Sequence, residues 1–209
     1  MGVVAAAQDY RVTPPAIEDD PALPQVLLIG DSISIGYTVP VRKLLAGKAN
    51  VHRVPANGGT SGNGLFMIDG WLGKKTWQVI HFNFGLHDLK RMTDGKQQVL
   101  PDAYERYLRL ITERLKQTGA KLIWATTTPV PEGKVSPVRV PGDVGVYNSI
   151  ALRVMKESGV AVDDLYSFAH MRLAQIQEPV NVHFTNAGSE ALAGEVAKAI
   201  SAALPPRGQ

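Results

Sequence analysis

From Gln25 onward, short apolar segments alternate with segments of helical periodicity, and this alternation limits the fold more than any other feature. Short apolar runs followed by glycine or polar residues are typical of strands buried on both faces. Strands separated by helices favour parallel β-α-β units with right-handed crossovers. The predicted strands are Val26–Ile29, Val51–Val54, Val79–Phe84, Leu122–Thr127 and Val160–Val162.

The segments between these strands carry helical signals, of which the clearest is an apolar stripe every three or four residues after Pro101. We therefore predict an α/β protein, a three-layer α/β/α sandwich with a five-stranded parallel sheet in the order 2-1-3-4-5. It forms a single domain over residues 25–209, and residues 1–24 form an N-terminal arm with one short strand at most. The predicted helices are Ile33–Ala46, Gly64–Leu72, Pro101 to about Gly119, Val144–Lys156 and Ala187–Ala203.

Composition excludes several classes of site and partner. The 209 residues suit one medium-sized domain, and they include no cysteine, which excludes disulfides, thiolate metal sites and cysteine nucleophiles. The net charge is only +3 with no dense basic run, so we expect no nucleic-acid partner. No stretch reaches the roughly 18–20 apolar residues of a membrane span, so we expect no membrane partner. The N-terminal residues fit a mature exported protein or a cytoplasmic one equally, and the oligomeric state is not readable.

The ends of the predicted strands carry the residues with chemical potential, because ligands of such sheets bind beyond the carboxyl ends of the strands. Gly30-Asp31-Ser32 follows the first strand, so Ser32 lies at a helix N-terminus, whose positive end favours an oxyanion. Taken alone, the pair Asp31 and Ser32 is explained better as a helix N-cap.

Three further segments lie at the same edge: the glycine-rich loop Asn57–Gly64 after the second strand, Gly85-Leu86-His87-Asp88 after the third, and His183 before the last helix. Each has an ordinary explanation as a surface loop. Together they supply a hydroxyl, backbone N–H donors and a histidine at one edge, which is what nucleophilic acyl transfer requires.

With these residues in view, the segment Gln25–Ala203 resembles the SGNH (GDSL-type) hydrolases, which have a flavodoxin-like fold. The resemblance implies that Ser32 is the nucleophile and His183 the base. It also implies an oxyanion hole formed by the backbone N–H groups of Ser32 and Gly62 and by the side chain at position 87. No metal or organic cofactor is implied. Asp31 is expected to support the nucleophile turn, and Asp88 either supports the site or fixes the tautomer of His87.

Two positions depart from the family pattern. His87 replaces the asparagine of the Gly-x-Asn-Asp motif, and an imidazole N–H can still donate to an oxyanion. The aspartate three residues before His183 is replaced by Val180. Three readings stay open: a Ser-His dyad oriented by Asn181 or a backbone carbonyl, recruitment of another acid such as Glu178, or a weak, degenerate hydrolase.

We therefore expect a serine esterase acting on a small-molecule or oligosaccharide ester. A similarity to carbohydrate esterases within the family favours acetyl groups on a sugar. A thioesterase or lysophospholipase on the same fold and a carbohydrate-binding pseudo-hydrolase remain alternatives. The proline-rich segment Thr126–Asp143 should border the site, where Arg139 and Lys134 either meet a polar or acidic substrate or are solvated surface charges.

Overall fold

The computed structural model of the protein describes residues 12–206. A single parallel sheet in the order β2-β1-β3-β4-β5 forms the centre of the domain, which confirms the predicted topology. The strands are β1 Gln25–Ile29, β2 Asn50–Arg53, β3 Val79–Phe82, β4 Lys121–Ala125 and β5 Ala161–Asp163. The helices are α1 Ser32–Leu44, α2 Ser61–Leu72, α3 Pro101–Lys116, α4 Pro141–Ser158, α5 Leu165–His170, α6 Leu173–Ile176 and α7 Asn186–Ala203.

The helices cover both faces of the sheet. Helix α1 packs against α7, whereas α2, α3 and α4 pack in succession on the other side, as right-handed crossovers from this strand order require. Strands β1 and β3 are almost wholly buried, since their neighbours shield both edges and the helices shield both faces. The carboxyl ends of β1, β2, β3 and β4 therefore present their following loops at one edge of the sheet.

The described part of the chain before β1 lies against the rest of the domain. The Thr13 hydroxyl donates to the carbonyl of Pro55, and the Arg42 guanidinium donates to the carbonyl of Pro15. Asp19 forms ion pairs with His52 and Lys75. Residues 12–24 contain no strand, and the remainder of the predicted arm lies outside the described residues.

No helix among residues 12–206 combines the length and the apolar character that crossing a bilayer would need.

Close packing between α2 and the end of β3 makes Gly64 a sensitive position. A Cβ at Gly64 would lie 2.3 Å from Cζ of the buried Phe84, which directly precedes the Gly85-Leu86-His87-Asp88 turn. We expect Gly64→Ala to destabilise the fold by about 1–3 kcal/mol, because the aromatic ring must move. Gly70→Ala, in the same helix but facing open space, should instead stabilise it by up to about 1 kcal/mol.

Urea unfolding of both variants measures these effects. Equal midpoints for Gly64→Ala and Gly70→Ala would contradict the proposed packing.

Candidate active site

Ser32 and His183 meet at the carboxyl edge of the sheet, although 151 positions separate them. The Ser32 Oγ lies 2.8 Å from Nε2 of His183. Ser32 is the first residue of α1, directly after β1, and His183 lies in the turn that precedes α7. Because α1 and α7 are packed together, the two side chains are held at hydrogen-bonding distance by the rigid part of the fold.

Asn181 occupies the other side of the His183 imidazole. Its Oδ1 lies 2.8 Å from Nδ1 of His183 and also accepts the backbone N–H of His183 at 3.1 Å. An oxygen acceptor at Nδ1 selects the tautomer with a proton on Nδ1 and a free lone pair on Nε2, facing Ser32. Of the two side chains suggested for this place by the sequence, Asn181 and Glu178, the structure therefore puts Asn181 there.

The turn that carries Asn181 is strained at the residue before it. Val180 has a φ of +53°, and it is the one non-glycine residue between 12 and 206 with a positive φ. A β-branched side chain is unfavourable in this left-handed region. Hydrogen bonds close the turn on both sides: the N–H of Asn181 donates to the carbonyl of Glu178, and the N–H of Glu178 donates to the carbonyl of His183.

Asp31 is the N-cap of α1, as the local interpretation of the sequence expected. Its Oδ1 accepts the N–H of Ile33 at 2.9 Å, and its carboxylate is 3% exposed. Asp31 therefore caps the helix, whereas the hydroxyl of Ser32 contacts His183 instead. Asp31 is part of the support of the nucleophile turn.

Arg53 is a second support that sequence reasoning missed. Its Nη2 donates to the carbonyls of Gly30 and Asp31 and to the hydroxyl of Ser34, at 2.8–2.9 Å. Arg53 ends β2, so its side chain can reach across the sheet edge to the neighbouring β1 exit. The sequence did contain a signal for this role: Arg53 ends β2, and β2 is the predicted neighbour of the strand that precedes Ser32.

The glycine-rich loop brings the start of α2 beside the nucleophile turn. The N–H of Gly58 donates to the carbonyl of Gly30 at 2.9 Å, and a Cβ at Gly58 would lie 2.8 Å from that oxygen. Gly62 is the second residue of α2, where backbone N–H groups have no partner within the helix. The first turns of α1 and α2, with Ser32 and Gly62, therefore flank the same edge.

His87 lies half-buried in the turn after β3. Its ring makes no hydrogen bond to any residue from 12 to 206, so both ring nitrogens remain available to a ligand. Burial lowers the pKa of His87; the Asp31 charge opposes this shift, and the charges of Arg139 and Lys90 add to it. At neutral pH the ring is therefore mainly neutral, with one N–H to donate.

Asp88 contacts Ser61 and not the ring of His87, so of the two roles left open by the sequence the contacts fit support of the site. Its Oδ1 accepts both the backbone N–H of Ser61, at 2.9 Å, and the Ser61 hydroxyl, at 2.5 Å. Asp88 is fully buried, and its Oδ2 has no hydrogen-bond partner among the described residues. Asp88 thus fixes the N-terminus of α2, and with it the position of Gly62.

Burial raises the pKa of Asp88 from 3.8 to about 7, against the lowering effect of the Ser61 hydrogen bonds. Because the folded protein holds this proton more tightly, Asp88 stabilises the fold fully below pH 3.8, and this stabilisation is lost as pH rises through about 7. The loss is on the order of 4 kcal/mol. We expect Asp88→Asn, which keeps an acceptor for Ser61, to gain stability relative to the wild type as pH rises from 4 to 8.

Urea unfolding at several pH values measures this difference, with the exposed Asp94→Asn as the matched control. Parallel stability curves for the wild type and Asp88→Asn would show that Asp88 titrates normally.

The surroundings of His183 lower the pKa of its imidazole. Burial lowers the pKa of His183 below its ordinary value of 6.5; the Asp31 carboxylate opposes the shift, and the charges of Arg139 and His87 reinforce it. His183 is therefore mainly unprotonated at neutral pH, with Nε2 able to accept a proton from Ser32. The arrangement provides a hydroxyl, a base, a group that orients the base, and nearby N–H donors.

The chain was compared with protein families, with curated protein sequences and with solved structures. The model of the GDSL-like lipase/acylhydrolase family matches residues 28–191. No curated protein sequence matches the chain significantly. Among solved structures, an Enterococcus faecalis lipase/acylhydrolase superposes with a TM-score of 0.76 and 19% identity, over 89% of this chain and all of that one.

Two further solved structures are acetylxylan esterases. AlAXEase has a TM-score of 0.73 and 15% identity, over 84% of this chain and 99% of that one. Axe2 of Geobacillus stearothermophilus has a TM-score of 0.68 and 18% identity, over 85% of this chain and 94% of that one. At these identities the superpositions establish a shared fold, whereas the family match covers more than three quarters of the sequence. The chain therefore belongs to the GDSL-like lipase/acylhydrolase family and is a carboxylic ester hydrolase of the SGNH type.

Proposed function

We propose that the protein is a serine esterase that removes short acyl groups, principally acetyl, from a carbohydrate. The observation that carries the proposal is the chain of contacts from Ser32 Oγ to His183 Nε2 and from His183 Nδ1 to Asn181 Oδ1, each 2.8 Å long. This chain aligns a nucleophile, a general base and an orienting group, which together define nucleophilic acyl transfer.

The reaction follows from the positions of the protons. Nε2 of His183 takes the hydroxyl proton of Ser32 as Oγ attacks the ester carbonyl carbon, and the carbonyl oxygen becomes an oxyanion. The backbone N–H groups of Ser32 and Gly62 and the N–H of the His87 ring donate to this oxyanion. The imidazolium of His183 then protonates the leaving alcohol, and an acyl group remains on Oγ. In the second half of the reaction His183 takes a proton from water, the resulting hydroxide attacks the acyl carbon, and the imidazolium returns the proton to Oγ of Ser32 as the carboxylic acid is released.

Asn181 orients His183 but carries no charge to stabilise its imidazolium. The fixed negative charge that acts on His183 is the buried carboxylate of Asp31, which raises the pKa of the imidazole without touching it. Asp31 thus has a second role beyond capping α1: it offsets part of the cost of charging His183 during the reaction.

The short acyl group and the carbohydrate are the finer part of the proposal. Two of the structural relatives are named as acetylxylan esterases, which favours acetyl as the acyl group. The residues around Ser32 and His183 are polar, with His87, Arg139 and the glycine-rich loop close by, and polar surroundings suit a sugar better than a long hydrocarbon chain.

A substrate panel and active-site labelling test the proposal together. We expect fluorophosphonate to add to Ser32, located by peptide mass spectrometry, and acetylated xylo-oligosaccharides and p-nitrophenyl acetate to be hydrolysed faster than p-nitrophenyl octanoate or long-chain acyl thioesters. If Ser32 were labelled but long-chain acyl thioesters were hydrolysed fastest, the serine mechanism would stand and the proposed substrate would be wrong. Absence of labelling together with equal nitrophenol release by Ser32→Ala would overturn the mechanism.

A further inference from the structure

Arg139 is a buried cation beside the candidate active site. It lies in the segment between β4 and α4, and its side chain is only 7% exposed. Its Nε donates to the carbonyl of Leu86 at 2.7 Å, and its Nη1 donates to the carbonyl of Pro137 at 3.2 Å. No carboxylate among residues 12–206 forms an ion pair with it, and its Nη2 has no hydrogen-bond acceptor there.

The segment that carries Arg139 connects the two sides of the site. At one end, Leu86 directly precedes His87, so the guanidinium is anchored beside the expected oxyanion donor. Earlier in the segment, Gly133 packs against Val180, the residue before Asn181. The positive charge of Arg139 lowers the pKa values of both His87 and His183, in agreement with a guanidinium near both imidazoles.

A structural role alone does not explain a charge at this position. Burying a guanidinium without an anion has a high free-energy cost, and two neutral carbonyls compensate it only in part. The carboxylate of Asp31 acts on Arg139 only through space. A neutral side chain with an N–H group could equally anchor the segment to Leu86. An unused N–H donor on a buried cation is suited to binding a carboxylate.

We propose that Arg139 binds a carboxylate carried by the ester substrate, so that the enzyme prefers acidic esters to neutral esters of the same size. The inference rests on the proposed function, and it narrows the ester substrate to one that bears a carboxylate. That carboxylate belongs either to the alcohol part, as in a uronic acid, or to the acyl part, as in a hemisuccinate.

Matched substrate pairs distinguish the two sources. For the alcohol part, kcat/KM is compared between 4-acetoxybenzoate and the neutral 4-acetoxybenzamide. For the acyl part, p-nitrophenyl hemisuccinate is compared with p-nitrophenyl butyrate. In at least one pair the wild type should prefer the anion, and Arg139→Gln should reduce that preference about 10- to 100-fold, as expected for a lost charge-assisted hydrogen bond. Arg139→Lys, which keeps the charge without the planar donor pair, should fall between the two.

Lys134→Gln is the matched control, because it removes the same charge from the same segment while Lys134 is exposed. Its anion preference should equal that of the wild type. If Lys134→Gln and Arg139→Gln lowered the anion preference equally, the effect would come from the overall positive charge of the segment, and the proposed carboxylate site at Arg139 would be wrong. An unchanged preference in Arg139→Gln, in both pairs, would overturn the proposal and leave Arg139 as an anchor of the segment.

Binding measurements separate this inference from the serine mechanism. The products 4-hydroxybenzoate and succinate contain no ester, so calorimetric titration with them requires no turnover. Weaker binding of either one to Arg139→Gln than to the wild type would support the carboxylate site even if Ser32→Ala remained active. Unchanged binding of both products would contradict it even if the serine mechanism holds.

Discussion

Replacing Ser32 with alanine should lower kcat/KM for p-nitrophenyl acetate by about 10⁴-fold or more, because the attacking oxygen is lost while the oxyanion donors remain. His183→Ala should cause a loss of similar size, since the hydroxyl of Ser32 then has no base at 2.8 Å. The double variant should be little worse than either single variant, because the two side chains act as one unit.

Ser149→Ala and His170→Ala are suitable controls for these variants, because both residues are exposed and neither has a role in the proposed mechanism. Nitrophenol release near neutral pH is measured for these five variants and for the wild type. Additive losses in the double variant, with each single variant retaining most of its activity, would mean that Ser32 and His183 do not act in one step.

Replacing Asn181 with aspartate should raise kcat/KM about tenfold. The carboxylate keeps both acceptor contacts, to Nδ1 and to the backbone N–H of His183, and adds a negative charge 2.8 Å from the imidazole that becomes positive in the reaction. A triad asparagine in place of aspartate is known to cost about 10⁴-fold where it selects the wrong tautomer. Here the oxygen of Asn181 already selects the useful tautomer, so the charge alone is gained, and because Asn181 is exposed water screens that charge.

The pH dependence of kcat/KM should also change in a definite direction. The new carboxylate favours the imidazolium and raises the pKa of His183, so the acidic limb of kcat/KM should move to higher pH in Asn181→Asp. Asn181→Ala removes the acceptor at Nδ1, and we expect it to lower kcat/KM about 10- to 100-fold, of the order found when a group that orients a histidine is lost.

Gln117→Ala, which removes an exposed amide at the C-terminal end of α3, controls for loss of an amide as such. If Asn181→Asp and Asn181→Ala both had wild-type activity and the same acidic limb, another group would orient His183.

The sequence predicts the order of the elements, and it also singles out Ser32, His183 and Asn181, which the structure brings into contact. Buried strands followed by glycine, and a helix beginning at Ser32, are visible in short windows of sequence. The boundaries differ by a few residues: α4, for example, begins at Pro141 rather than Val144, because Pro141 fits the first turn of a helix. Helices α5 and α6 are not predicted, since helices of six and four residues are too short to show a periodic apolar face.

The contacts of long or buried side chains cannot be predicted from short windows of sequence. Arg53 reaches from β2 to the exit of β1, and Arg139 reaches from the β4–α4 segment to Leu86. The direction of each side chain is decided by which loops the tertiary structure brings together. Asp88 directly follows His87 in sequence yet contacts Ser61, because its carboxylate faces the buried start of α2. Each of these side chains holds a loop or helix start of the candidate site, so the part of the site that sequence reasoning misses is mainly its support.

The left-handed backbone at Val180 has a consequence for how this site could change over evolutionary time. Val180 stands three residues before His183, where relatives with the Asp-x-x-His pattern have their acid. Aspartate, asparagine and glycine tolerate a φ of +53° far better than valine does, by roughly 1–3 kcal/mol. Two of the four valine codons become aspartate codons by a change at the second base alone, and a mutation that introduced the acid would also relieve strain in the backbone. Evolution from a site in which Asn181 orients His183 to one in which an aspartate at position 180 does so therefore need not pass through an unstable protein.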